Sequence, residues 1–192
     1  MGQAKQKREE LKKLVLHFIG EWDFPATEHE ARAVEEIKRL PQLTVRRYSE
    51  TQLAYMRMKP NQCHANAQFM EDNDPERKCK RVSGYLIESG NYVLHSVVER
   101  DGDYFCVTPV PTGGPSEFLF IPDHDIEWRI EGEKRVATRK GFEIKPGFRS
   151  DPEETKRISS IIRARIEAGI DPIKAGRPPF FRIDRKTVAQ LG

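Results

Sequence analysis

Between residues 80 and 122 the chain reads as four short β-rich runs, "RVSGYLIE", "NYVLHSVVER", "DYFCVTPV" and "EFLFIP". They are cut off from one another by the turn signals Ser89-Gly90-Asn91, Asp101-Gly102 and Gly113-Gly114-Pro115. Strands this closely spaced, set between helical ends, predict an α+β fold built on a central antiparallel sheet. The two-residue Asp101-Gly102 turn is the sharpest of the signals, because it fixes a hairpin register. It pairs Arg100 with Asp103, Val98 with Phe105, Val97 with Cys106 and His95 with Thr108. Alternation then places His95, Val97 and Glu99 on one face with Tyr104, Cys106 and Thr108, which makes His95 and Cys106 diagonal neighbours. "IEWRI" and "RVATR" are candidates for two more strands.

Helical patterns flank this region. Leu11, Leu14, Val15, Phe18 and Ile19 recur at helical spacing up to Gly20. Thr27 with Glu30 forms a capping box for a helix through Ala31, Val34, Ile37 and Leu40, which Pro41 ends. Ser49 with Gln52 caps a shorter helix around Leu53 to Met58. Ser150 with Glu153 caps a last one carrying Ile158, Ile161, Ile162 and Ile166, closed by Gly169. The expected organisation is a basic N-terminal helix over 1–20, an α+β domain over 21–170, and a Pro- and aromatic-rich tail over 171–192.

Charge narrows the partners. Lys and Arg exceed Asp and Glu by three. The first thirteen residues hold five basic and two acidic side chains, so the whole excess sits on one arm. A solvated helix start accounts for it, and no zinc-finger spacing, RNA-binding aromatic signature or further basic stripe points to nucleic acid as the main partner. No apolar run approaches the roughly 18 residues of a membrane span, and the N-terminus lacks the apolar stretch of a signal peptide. Gln6 breaks the myristoylation pattern. Three cysteines are too few and too odd for a disulfide framework, so a cytoplasmic protein with reduced thiols is expected.

"QCHANAQFM", residues 62–70, carries the chemistry. With Asn61 as N-cap, Cys63 lies in the first turn of a helix. There, unpaired amides and the helix dipole favour a thiolate and can donate to an oxyanion. Asn66 shares the face of Cys63, and Gln62 is a side-chain donor beside it. His95, inside an otherwise apolar strand, needs either a structural partner or a catalytic task.

Cys-x-x-Asn-Ala on a helix, then a "GYLIE" strand, then "HSVVE" and a strand ending in Thr-Pro resembles the papain-like cysteine hydrolase superfamily over about residues 61–110. The likeness is to its transglutaminase-like and protein-glutaminase-like branches and to related small bacterial and phage proteins. The resemblance implies Cys63 as nucleophile, His95 as general base, a protein or peptide substrate, and no cofactor. The family's third residue, an Asp, falls at Cys106, so another group must orient His95 in an active enzyme. Asp123 and Asp125 in "PDHDIEW" are the expected replacements. Two alternatives stand beside this reading: a catalytically inactive relative that binds proteins, and a zinc site using Cys63, His95, Cys106 and His64. In "RPPFFR", Phe180 and Phe181 could anchor a partner protein through the C-terminal tail, or fold back over the core.

Overall fold

The computed structural model describes residues 2–110, 114–132 and 134–177. The anchor positions Phe180 and Phe181 lie outside them. The chain divides into two compact units, one spanning Thr27–Ser150 and the other made of both chain ends, up to Ala26 and from Asp151.

In the unit of the chain ends, α1 (Gln3–Glu21), α5 (Pro152–Glu167) and the single turn α6 (Pro172–Ala175) pack together. The Arg8 guanidinium donates to the Gly169 carbonyl at 2.7 Å. Gly169 adopts φ +84° and closes α5 as expected. The cap of α5 is one residue later than expected. The Asp151 carboxylate accepts from the Glu154 amide at 2.9 Å, while the Ser150 hydroxyl donates to the Gly90 carbonyl. The boundary drawn at residue 170 therefore shifts, because α5 packs with α1 and α6.

The Thr27–Ser150 unit is α+β. Its helices are α2 (Glu28–Ile37), α3 (Glu50–Tyr55) and α4 (Cys63–Asn73), and the first two open on the expected caps at Thr27 and Ser49. Five strands, β1 (Leu43–Arg47), β2 (Lys80–Glu88), β3 (Asn91–Arg100), β4 (Asp103–Cys106) and β5 (Glu117–Pro122), pair in the order β2-β5-β1-β4-β3. Strand β3 then pairs with β2 along its whole length, from Lys80↔Glu99 to Glu88↔Asn91, so the sheet closes on itself as a small barrel. A short strand, β9 (Gly147–Arg149), extends β3. One pairing departs from the expected antiparallel pattern: β1 runs parallel to β4, with Arg46 opposite Phe105 and Arg47 opposite Cys106. The hairpin keeps its register at Arg100↔Asp103 and Val98↔Phe105, but that ladder goes no further and β4 ends at Cys106.

Alternation sorts the two faces of the barrel. Val45, Val97, Cys106, Phe118 and Phe120 point inward with Val82 and Leu86, so all five strands contribute to the interior. Outside, Ala33, Val34 and Ile37 of α2 pack on Tyr85, Tyr92 and Ile121. A three-stranded sheet, β6 (Ile126–Glu131), β7 (Lys134–Arg139) and β8 (Phe142–Glu143), adds Ala137 and Trp128 to that cluster. Leu53, Met58 and Ala67 of the α3–α4 segment pack on Val98 and Val107.

Closure of the barrel depends on Gly84. A Cβ there would lie 2.1 Å from the Ile121 carbonyl oxygen and 2.6 Å from the Phe120 ring. Gly84→Ala must part β2 from β5, and the expected loss is about 3 kcal/mol or more. Thermal denaturation checks this, and an unchanged Tm would refute the closed seam at this point.

Candidate active site

Helix α4 starts at Cys63 because Asn61 turns the backbone left-handed, with φ +58°, and Gln62 becomes the N-cap. Asn61 is thus not the cap that the sequence suggested. Gln62 makes no side-chain capping bond and is exposed, so it is near Cys63 in sequence but not tied to it. The Cys63 thiol is half-buried at the first helical position. The backbone amides of Ser96, His64 and Cys63 itself favour the thiolate, as a helix start should. Burial outweighs them, with a further push from the Cys106 thiol, and raises the pKa to about 11. The expected low-pKa thiol is therefore corrected: the helix start helps the anion, but desolvation costs it more.

His95 is where alternation placed it, on the interior face with Val97, and it touches Cys106. Its Nε2 lies 3.4 Å from the Cys106 sulfur. The Cys106 thiol itself has the Thr108 carbonyl as acceptor at 3.9 Å. With the thiol hydrogen on the Thr108 carbonyl, the arrangement favours the tautomer in which Nε2–H donates to the sulfur, and among the described residues Nδ1 makes no hydrogen bond. Phe118 and Phe120 present their rings edge-on to the imidazole at 5.8 and 6.3 Å. This enclosure lowers the His95 pKa to about 3, chiefly by desolvation and then by the charges of His64 and Arg47. Thiol and imidazole are both neutral at pH 7. Among the described residues, no hydrogen bond joins Cys63 to His95, whose Nε2 meets Cys106 instead.

The neighbours of the pair are mostly structural. The Asn66 side chain donates to the Lys59 carbonyl at 2.8 Å and to the Thr108 hydroxyl at 3.2 Å, and accepts from the Lys59 amide at 3.2 Å. It pins the turn before α4 to the strand end carrying Cys106, and both of its N–H donors are used in doing so. The His64 Nδ1 meets the Ser96 hydroxyl at 2.7 Å. Ser96 neighbours Ser83 at 3.3 Å, and Ser83 accepts from the Trp128 indole at 3.0 Å. The chain of hydroxyls fastens the first turn of α4 onto β2, β3 and β6. Burial, then Arg81 and Arg135, lowers the His64 pKa to about 4.

Asp123 and Asp125 do not reach His95. Asp123 is buried and accepts from the Arg139 Nε at 2.7 Å, and Asp125 faces Arg139 and Lys140 at 3.4 and 3.6 Å. The expectation that this loop supplies the missing acid is corrected by that commitment: a buried guanidinium with a 3% exposed side chain needs its carboxylates. Among the described residues, no three His, Cys, Asp or Glu side chains gather as a metal site. No helix among them is long and apolar enough to cross a membrane.

One residue beside His95 was missed at the level of sequence. Arg47 shares the inward face of β1 with Val45, and it stands opposite Cys106 in the parallel ladder. The alternation in "LTVRR" was the available signal. With the geometry in place, comparison with protein-family models, curated proteins and solved structures finds no match to this chain.

Proposed function

We propose that the protein is a cysteine-dependent amide hydrolase or acyltransferase, of peptidase, deamidase or transglutaminase-like type, acting on a protein or peptide. The observation that carries this reading is the position of Cys63 at the first residue of α4, where the backbone amides of Ser96, His64 and Cys63 favour its thiolate. Donors so placed stabilise a thiolate, and they also suit the oxyanion of a tetrahedral intermediate. In the reaction, neutral His95 takes the thiol proton as the sulfur attacks the amide carbonyl. Collapse of the intermediate breaks the C–N bond, and the departing amine takes that proton from His95. Water or a second amine then attacks the thioester, loses its proton to His95, and frees Cys63 as the proton returns to sulfur.

A second reading has its own observation. The group that meets His95 Nε2 is a thiol at 3.4 Å, where the resembled family has a carboxylate. Such a site suits a papain-like fold retained for binding partners. Turnover of a broad amide and peptide panel separates the two. The hydrolase reading requires activity in wild type that falls by at least about 10³-fold in Cys63→Ala and in His95→Ala. Activity that survives Cys63→Ala would overturn it, and absence of activity in wild type favours the binding protein.

A further inference from the structure

We infer that Arg47 forms a carboxylate-binding subsite beside His95, so that the ligand this site takes is an acidic one. This deepens the hydrolase reading by naming a substrate class, and it rests on that reading for the chemistry but not for the binding.

The placement is built from both strands and loop. The Arg47 guanidinium lies over the Phe118 ring at 5.1 Å, and His95 meets the same ring at 5.8 Å. Cation and imidazole thus share one aromatic wall. The Arg47 Nη1 donates to the Pro115 carbonyl at 2.8 Å, and Gly114 makes room for it: a Cβ at Gly114 would lie 2.7 Å from Nη1. One edge of the fork is therefore fixed to the loop that leads into β5.

The other edge is unmet. The Arg47 Nε is buried and has no hydrogen-bond partner among the described residues, and no described carboxylate pairs with this guanidinium. Other enclosed arginines of the barrel unit are matched: Arg139 by Asp123 and Glu36, and Arg149 by Glu30. An unsatisfied, partly desolvated guanidinium is costly, and a carboxylate that accepts from Nε and Nη2 in parallel removes the cost. The bound anion also offsets a charge that holds the His95 imidazole down.

The test reads the arginine itself, in the intact protein. N-acetyl-L-glutamate is titrated while the Arg47 Nε–H resonance is followed by ¹H–¹⁵N NMR, with N-acetyl-L-glutamine as the neutral control. A saturable shift is expected for the glutamate probe in wild type and in Cys63→Ala. The glutamine probe should bind at least about tenfold more weakly. Arg47→Gln should weaken glutamate binding by a similar factor, followed by backbone shifts around Phe118. Gly114→Ala, which displaces the guanidinium tip without removing its charge, should weaken it too. Equal response to both probes, no saturable shift in wild type, or undiminished affinity in folded Arg47→Gln or Gly114→Ala protein would each overturn the subsite. Because Cys63→Ala is expected to bind normally, loss of the subsite and loss of the thiol chemistry are told apart.

Discussion

Replacing Glu30 by Ala is expected to destabilise the Thr27–Ser150 unit by about 3–5 kcal/mol, the scale for breaking a buried ion pair from one side. Glu30 accepts from the Arg149 amide and Nε, both at 2.9 Å, and from its second terminal nitrogen at 2.7 Å. The two side chains are 5% and 0% exposed, so removing the carboxylate takes this counter-charge from a guanidinium in the core. The contact also ties α2 to β9 at the edge of the barrel. Urea unfolding of Glu30→Ala beside Glu35→Ala provides the comparison, since Glu35 forms an exposed pair with Lys38 whose loss should hardly register. Replacing Glu30 and Arg149 together by Leu and Met should recover much of the loss. A Glu30→Ala protein as stable as Glu35→Ala would contradict the buried pair.

At pH 8 Cys63 is expected to react with iodoacetamide about 100-fold more slowly than an unhindered thiol of pKa about 9, because its thiolate is populated only as pH nears 11. The sign follows from burial, which penalises the anion more than three amides and the helix dipole reward it. Cys106→Asp should move the system the other way. A carboxylate at that position accepts from His95 Nε2–H and favours imidazolium, and a cation at His95 in turn favours the Cys63 thiolate. Labelling of Cys63 at pH 8 is expected to rise by at least about tenfold in that variant. Peptide mapping by mass spectrometry follows Cys63 separately from the buried Cys79 and Cys106. Wild-type Cys63 that labels rapidly at pH 7, or a Cys106→Asp rate equal to wild type, would show that the thiol at 106 does not set the state of the pair.

Much of this arrangement is written locally. The Asp101-Gly102 turn dictates the β3–β4 register, and period-two alternation then puts His95 and Cys106 on one face before any tertiary contact is considered. The caps at Thr27 and Ser49 are equally local, since each is a side chain reaching an amide three residues on. Other features have no local signal. Strand β1 shows its alternation in "LTVRR", but nothing local says that it pairs with β4 and β5, and that pairing closes the barrel and places Arg47. The roles of Asn66, Asp123 and Asp125 depended on which distant group each one met, Thr108 for the first and Arg139 for the other two.

The sequence by itself determined the α+β class, the hairpin and the neighbour relation of His95 with Cys106, because turns and alternation act within a few residues. Only the tertiary structure decided the protonation of the pair, the closure of the sheet and the company His95 keeps. Those follow from desolvation and long-range pairing, and burial is a property of the packed chain rather than of any segment in it.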